Sequence, residues 1–219
     1  MKKKIDAPTI SSARLLKGDC IQLVPEIYSL KSIVESNPWH LNQSVFDHTT
    51  LALQGMEKIL KLDFLKEDSR KKIIKHLGRK VGSHSRKQLL IVTTIVHDIG
   101  KRDTLIKDSS GLTRCPAHEI IGSVMATNFS SRFELDQKAT KLVAKIINYH
   151  GFISDILALA INKKNQTKCF RLFKQAVGNI YIELLLLMYA DMLGSHLKKL
   201  NLKEFKARER LIIEFLERT

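Results

Sequence analysis

Apolar residues recur along most of the chain at intervals of three and four positions, whereas strict alternation of apolar and polar residues is scarce. This spacing is typical of helices that bury one face, and it predicts an all-α fold. The predicted helices lie near 19–35, 45–61, 69–77, 85–99, 116–130, 134–149, 152–161, 167–177, 179–197 and 203–217. Pro25 is expected to kink or split the first of them, because proline removes a helical hydrogen bond.

One segment departs from the helical pattern. Residues 103–115 read DTLIKDSSGLTRC, in which two short runs that tolerate β-structure flank a polar turn ending in Gly111. Such a pattern predicts one small β-hairpin. No stretch rich in proline, glycine or serine divides the chain, and no internal repeat is visible. A single helical domain is therefore the simplest organisation.

The chain is strongly basic: its 219 residues include 37 Lys and Arg against 22 Asp and Glu, a net charge of +15. This excess excludes an acidic buffer protein and favours anionic partners such as nucleotides, nucleic acid or a membrane surface. A lysine-rich composition without functional meaning is the alternative explanation. Segment 69–87 concentrates the charge, with eight Lys or Arg residues and no acid. It is either a solvated helix face with a basic loop, or a surface that collects nucleotides or RNA beside a metal-binding cleft.

The cysteine and apolar contents predict a cytoplasmic protein without a membrane span. The three cysteines show no CxxC spacing, and an odd number cannot form a closed disulfide framework. The basic N-terminus lacks an apolar signal core. The most apolar stretch, Ile180 to Leu193, is shorter than the ~20 residues that a span needs, and it contains Glu183 and Asp191.

Four histidines have ordinary interpretations. His40 and His84 fall in polar loops and His76 lies among lysines, so all three are expected at the surface. His196 follows apolar residues but stands near a predicted helix end beside two lysines, and a structural role is expected for it.

A second set of polar residues lies on the apolar faces of five predicted helices: His48, His97, Asp98, His118, His150 and Asp191. Any one of them is explained by a backbone partner or by capping of a neighbouring helix. Burying several unpaired carboxylates and imidazoles is costly, however, and one shared metal ion removes the cost for all of them. Mixed imidazole and carboxylate ligands suit Mn, Fe, Ni, Co or Zn, and suit Mg less.

Four motifs in this order resemble a known family. The motifs are SVFDHT at 44–49, VHDIGK at 96–101 with its continuation to PAHEIIGS, INYHG ending at Gly151, and YADMLG at 189–194. They are similar to those of the HD-domain phosphohydrolases. The likeness is greatest to the HD domain attached to bacterial tRNA nucleotidyltransferases and poly(A) polymerases. It extends from Pro38 to about Ser195, and it implies an all-α bundle with a metal site in its core.

The resemblance also implies a division of the chain. Residues 1–37 are expected to form an N-terminal helical extension packed on the domain, 38–197 the HD domain, and 198–219 a C-terminal helix, all in one globular unit. The sequence predicts no oligomeric state.

Carried over residue by residue, the resemblance assigns roles. His48, His97, Asp98 and Asp191 match the metal-binding quartet of the family. His118 and His150 match positions that hold a second metal or contact the phosphate, so one or two ions are expected. Lys101 matches a lysine near the phosphate, and together with Asp98 it is expected to be catalytic.

The implied activity is metal-dependent hydrolysis of a phosphate ester by attack of metal-bound hydroxide. The expected substrate is nucleotide-like, a phosphodiester or phosphomonoester such as a 2′,3′-cyclic nucleotide. Two departures narrow the resemblance: Gly-Phe-Ile follows His150 where cyclic-di-GMP phosphodiesterases have Gly-Tyr-Pro, and the Glu-Asp pair of alarmone hydrolases is missing. The rival interpretation is a non-catalytic HD domain that binds nucleic acid or regulates another protein.

Overall fold

The structure, a computed structural model, describes residues 10–163 and 165–219, and within them helices dominate. The α-helices are α1 (Ser12–Lys17), α2 (Pro25–Ser29), α3 (Val45–Ile59), α4 (Glu67–Gly78), α5 (Arg86–Val96), α6 (Lys101–Thr104), α7 (His118–Met125), α8 (Gln137–Lys163), α9 (Gln166–Val177), α10 (Tyr181–Gly194), α11 (Leu197–Leu200) and α12 (Leu202–Glu217). The predicted all-α fold is confirmed.

In the described part of the chain, three antiparallel pairs of two-residue strands connect the helices: β1 (Val34–Glu35) with β2 (Gln43–Ser44), β3 (Lys80–Val81) with β4 (His84–Ser85), and β5 (Ile106–Lys107) with β6 (Thr113–Arg114). The last pair confirms the predicted hairpin, with Ile106 opposite Arg114 and Lys107 opposite Thr113. The other two pairs are not evident in the sequence, because strands of two residues are too short to show an alternating pattern.

The first predicted helix, 19–35, is wrong. Gly18 adopts a left-handed conformation, φ 84°, that ends α1, a conformation that glycine adopts without steric cost. Pro25 occupies the first position of α2, where its missing N–H has no helical partner to lose. Residue Glu35 consequently lies in strand β1, and its carboxylate is buried instead of lying on a helix face.

The two helices predicted at 134–149 and 152–161 are one continuous helix, α8, which runs through Gly151. A single glycine inside a helix costs only about 1 kcal/mol, and the remaining apolar pattern outweighs it. The helix predicted at 85–99 begins with a capping box between Ser85 and Gln88 and ends at Val96. His97 and Asp98 therefore lie in the turn that follows α5.

Two adjoining apolar clusters form the core. One is built mainly from α8, α9, α10 and α12, with Phe173, Phe205 and Phe215 fully buried. The other joins the N-terminal helices to α3, α5 and the start of α8. Since α3 and α5 contribute to both clusters, their polar residues face the middle of the bundle. The division at 37/38 and 197/198 stays a prediction, and residues 1–9 of the expected extension lie outside the described part.

Two helical stretches, Gln137–Asn162 and Gln166–Gly194, are long and apolar enough by length and composition to cross a membrane. Both belong to the bundle, which buries 39% and 67% of their most apolar windows. A core helix of a soluble protein meets the same criteria, so these two stretches do not show a membrane location.

Candidate metal centre

Helix α3 brings His48 into the middle of the bundle. Ser44 caps the helix by accepting the N–H of Asp47, and one turn later His48 is 1% exposed. Its Nε2 atom lies 2.8 Å from Asp191 Oδ1 on α10. The approach of the two helices depends on Gly194, since a Cβ there would lie 2.7 Å from the backbone N of Ala52.

His97 and Asp98 complete a group of four at the end of α5. The His97 Nδ1–H donates to the carbonyl oxygen of Thr94 at 2.9 Å, which turns Nε2 toward the interior. That Nε2 lies 3.4 Å from Asp98 Oδ2 and 3.5 Å from Asp191 Oδ1. The four ligand atoms of His48, His97, Asp98 and Asp191 lie within 4.8 Å of one another.

The arrangement fits a divalent metal. The Nε2 atoms of His48 and His97 and the Oδ2 atom of Asp98 are buried without a well-aligned hydrogen bond, although Asp191 contacts His48 Nε2 and Lys101 contacts Asp98 Oδ2 as ion pairs. Leaving such atoms unsatisfied costs about 1–3 kcal/mol each, and more for charged groups. A cation among them would satisfy all three atoms at once, and two imidazoles with two carboxylates suit a transition metal.

A second group shares Asp98. The Oδ1 atom of Asp98 lies 3.5 Å from His118 Nε2 and 3.5 Å from His150 Nε2, so the two carboxylate oxygens face two different groups. The Nδ1–H of His118 donates to Cys115 O at 2.8 Å, and that of His150 donates to Ile147 O at 2.6 Å. As with His97, a carbonyl three residues earlier fixes each ring with Nε2 directed inward.

Glycines place His118 on this second group. A Cβ on Gly100 would lie 2.2 Å from the carbonyl oxygen of His118 and 2.6 Å from the backbone N of Gly122. The turn after α5 and the first turn of α7 therefore approach each other more closely than any side chain would allow. Ala117 precedes α7 with a positive φ of 57°, and this turn aims the helix start at the site.

Charges inside the site shift the pKa values of its groups. Burial by itself raises the pKa of Asp98, but the charges of His97 and Lys101 hold it well below its usual range. Burial likewise raises the pKa of Asp191, but the neighbouring imidazoles of His48 and His97 hold it well below its usual range. For His97, burial lowers the pKa, but Asp98 and Asp191 together raise it to about 9. The site therefore holds concentrated negative charge that attracts cations.

Lys101 lies in the site, three residues beyond Asp98. It opens the short helix α6 and is 6% exposed. Its Nζ atom lies 2.9 Å from Asp98 Oδ2 and 2.7 Å from Glu35 Oε2. Burial lowers the pKa of Lys101, and the two carboxylates more than reverse this and raise it.

Glu35 is the residue that the sequence analysis missed. Placed on the first predicted helix, it offered no reason to be buried beside the site. The Ser-Asn-Pro run at 36–38 is a turn signal but follows the carboxylate, whereas Pro25 is the signal that breaks the predicted helix before it. Glu35 is 3% exposed, which identifies it as a buried charge that needs partners.

Three histidines that were expected at the surface are wholly or largely buried, so that expectation is wrong. His40 is 7% exposed, and its Nδ1 lies 2.9 Å from Gln43 Oε1; burial and the nearby cations lower its pKa to about 4. His84 is 8% exposed and contacts the Ser83 hydroxyl. His76 contacts Glu183 Oε1 at 2.9 Å. His196 is half-buried and lies outside both ligand groups.

The basic segment 69–87 lies away from this centre. Arg86 at the start of α5 is buried and ion-paired with Glu183 at the start of α10. His97 follows 11 residues later, which at 1.5 Å per residue is about 16 Å along the helix. The segment therefore stands at the opposite end of α5 from the candidate ligands. Three of its eight cations already form ion pairs within the chain: Arg70 with Asp63, Lys71 with Glu67, and Arg86 with Glu183.

Comparison with known proteins agrees with this geometry. The model of the HD domain family matches residues 71–194, which is more than half of the chain. A curated relative, the bifunctional uridylyltransferase/uridylyl-removing enzyme of Erythrobacter litoralis (strain HTCC2594), is 26% identical over 133 residues. The aligned part is 61% of this chain and only 12% of the relative's length. The match runs from the middle of α4 to the end of α10, with His97, Asp98 and Asp191 inside it and His48 before it, and the chain belongs to the HD domain family.

Proposed function

We propose that this protein is a metal-dependent phosphohydrolase that acts on a nucleotide-like phosphate ester. The observation that carries the proposal is Asp98, a buried carboxylate whose two oxygens face two different histidine groups. Proteins of the HD family are generally metal-dependent hydrolases, and that membership supports the same chemistry here.

The residues that would hold a metal are His48, His97, Asp98 and Asp191. His118 and His150 would hold a second ion, or would contact the substrate phosphate instead. When bound, a divalent metal supplies a Lewis acid for a phosphoryl oxygen and lowers the pKa of a coordinated water. The mixed donor set favours Mn, Fe, Ni, Co or Zn over Mg.

The chain's own groups perform the remaining tasks. Asp98 joins the two histidine groups and fixes the distance between them. Backbone carbonyls hold the rings of His97, His118 and His150, so their Nε2 atoms need no reorganisation when a ligand enters. Lys101 places a positive charge beside Asp98, where it would offset negative charge that develops on a bound phosphate.

The nucleotide-like substrate is supported by the net charge of +15 and by the relative's name, which includes uridylyl removal. A uridylyl group is a nucleotide attached through its phosphate, so its removal breaks a phosphate ester. Phosphodiesters, phosphomonoesters and 2′,3′-cyclic nucleotides all remain in this class. The cytoplasmic location predicted from the sequence is compatible with such a substrate.

The rival function is a non-catalytic HD domain that keeps the fold and the metal but binds nucleic acid or regulates a partner. The two functions share the metal site and differ in turnover. We therefore expect purified protein to contain a divalent transition metal, and to hydrolyse members of a panel of nucleotides and p-nitrophenyl phosphate esters supplemented with Mn or Ni.

Two matched variants sharpen this experiment. Asp98→Asn should lower metal content and reduce hydrolysis at least about 100-fold, while the helical circular dichroism is kept. Asp103→Asn changes an exposed aspartate that pairs with Arg102 and should leave both unchanged. Metal binding without turnover across the panel would favour the rival function, and full metal content in Asp98→Asn would contradict the site itself.

A further inference from the structure

A chain of buried polar groups runs outside the candidate ligands and connects the two ends of the metal centre. Lys101 Nζ contacts Glu35 Oε2 at 2.7 Å, and His40 Nε2 lies 3.6 Å from the same oxygen. The other ring nitrogen of His40 contacts Gln43 at 2.9 Å, and the Gln43 amide donates to the carbonyl of Gly194 at 2.7 Å. The chain thus begins beside Asp98 and ends three residues after Asp191.

The segment that carries these polar groups, residues 34–44, is held by strand β6 near its start and by Gly194 near its end. Ser36 exchanges two hydrogen bonds with Thr113 of strand β6, at 2.7 and 3.0 Å. The Glu35, His40 and Gln43 side chains are all less than 9% exposed. Placing a carboxylate in such a position is costly unless a cation accompanies it. Lys101, the nearest cation to Glu35, supplies the positive charge that this buried carboxylate needs.

The charges in this region explain what Glu35 does to Lys101. With only Asp98 as its partner, the Lys101 ammonium would neutralise the carboxylate on which both histidine groups depend. A lysine side chain also has four rotatable bonds, and a single partner would not fix its position. Glu35, on the opposite side of the ammonium, supplies a second carboxylate that shares its charge and fixes its Nζ between two oxygens.

We propose that Glu35 is a positioning residue: it holds Lys101 at a fixed point beside Asp98 and leaves the Asp98 charge available to a cation. This proposal rests on the proposed function for its effect on turnover. Its effect on metal affinity depends only on the metal site. The two effects therefore separate failure of the inference from failure of the phosphohydrolase activity.

The test is a double-mutant cycle between Glu35 and Lys101, measured by Mn titration and by hydrolysis. Glu35→Gln should weaken Mn binding roughly tenfold, because Lys101 then neutralises Asp98 alone. Adding Lys101→Met to Glu35→Gln should restore Mn affinity, since the competing ammonium is gone. A merely structural ion pair predicts the opposite, a further loss in the double variant.

Hydrolysis supplies the second readout. Glu35→Gln should lower kcat about tenfold with little change in KM, and the double variant should be no slower than Lys101→Met alone, because residues acting as a unit are not additive. Glu35→Asp, which keeps the charge on a shorter side chain, should be intermediate. Glu183→Gln is the matched control, a buried ion-paired carboxylate at the other end of α10, and it should leave Mn affinity and kcat unchanged.

Three results would overturn the proposal: unchanged Mn affinity in Glu35→Gln, additive losses in the double variant, or an equal loss in Glu183→Gln. If the wild-type protein hydrolyses nothing with any metal, the proposed function fails. The Mn cycle alone then decides whether Glu35 positions Lys101.

Discussion

His118 and His150 face each other with their Nε2 atoms 3.3 Å apart, and both atoms lie 3.5 Å from Asp98 Oδ1. Each ring donates its Nδ1–H to a backbone carbonyl. Two unprotonated Nε2 atoms at this distance would direct lone pairs at each other. A proton or a cation between the rings and the carboxylate removes that repulsion. A second metal ion, or a phosphate that accepts hydrogen bonds from the rings, would satisfy this geometry.

Removing both rings distinguishes the two ligands. We expect the wild type to bind two Mn ions and His118→Ala/His150→Ala to bind one, because the group around His48 and His97 remains complete. Metal analysis by mass spectrometry, together with anomalous scattering from crystals, measures the count. His196→Ala, which removes a histidine outside both groups, should keep two ions. One ion in both the wild type and the double variant, with phosphate affinity lost in the variant, would instead assign the rings to the substrate.

Gly194 tests the contact between α3 and α10 that joins His48 to Asp191. A Cβ at this position would lie 2.8 Å from the carbonyl oxygen of His48, and backbone atoms cannot move aside as a flexible side chain does. We expect Gly194→Ala to lower the free energy of unfolding by about 1–3 kcal/mol and to weaken metal binding, as measured by urea denaturation and Mn titration.

The control for this substitution is Gly78→Ala. Gly78 ends α4, and a Cβ there meets no atom within 4 Å. The same chemical change should therefore leave metal affinity unaltered. An equal loss of affinity in both variants would show that the approach of α3 to α10 does not determine the site.

The sequence revealed the six candidate ligands because each lies on or directly beside an apolar helix. A histidine among leucines or isoleucines contradicts its surroundings, and that contradiction is visible without a structure. Asp191 is the clearest case, since it lies in the most apolar helix of the chain. The fold class followed from the same apolar periodicity.

Partners that are distant in sequence were not visible. His76 lies among lysines, and its contact with Glu183, 107 residues away, appears only when α4 packs beside α10. Glu35 was missed because one helix was predicted across Pro25, from 19 to 35, and its partner Lys101 is 66 residues away. Short polar segments have no periodicity, so their burial depends on tertiary packing that local patterns do not record.

Glu183 should make the stability of the protein depend on acid pH. It is fully buried between His76 and Arg86. Burial raises its pKa, but the hydrogen bonds from those two side chains more than reverse this and lower the pKa below the ordinary 4.5. A depressed carboxyl pKa stabilises the folded state above the unfolded value, and this stability is lost as the pH falls through the folded value.

We therefore expect Glu183→Gln to lose roughly 3 kcal/mol at neutral pH, the cost of leaving Arg86 buried without its partner. Below pH 4.5 the difference between the wild type and the variant should shrink. Urea denaturation at a series of pH values measures both effects. Glu214→Gln, which removes a surface pair with Arg218, should cost less than about 1 kcal/mol at every pH. A constant difference between wild type and Glu183→Gln across the acid range would contradict this prediction.

The exposed cations of segment 69–87 give the last prediction. Four of them, Lys71, Lys75, Arg79 and Lys80, are exposed on α4 and the strand that follows, and the start of α5 lies about 16 Å along the helix from His97. If this surface collects RNA, replacing all four with Gln should weaken RNA binding and flatten its dependence on salt, because fewer counterions are released. Hydrolysis of a small p-nitrophenyl phosphodiester should be unchanged at that distance.

The matched control removes four exposed charges elsewhere, Lys198, Lys199, Lys203 and Arg210. Equal RNA affinity and equal salt slope in the wild type and the first variant would show that segment 69–87 is a solvated surface, and an equal loss in both variants would show that RNA responds only to net charge.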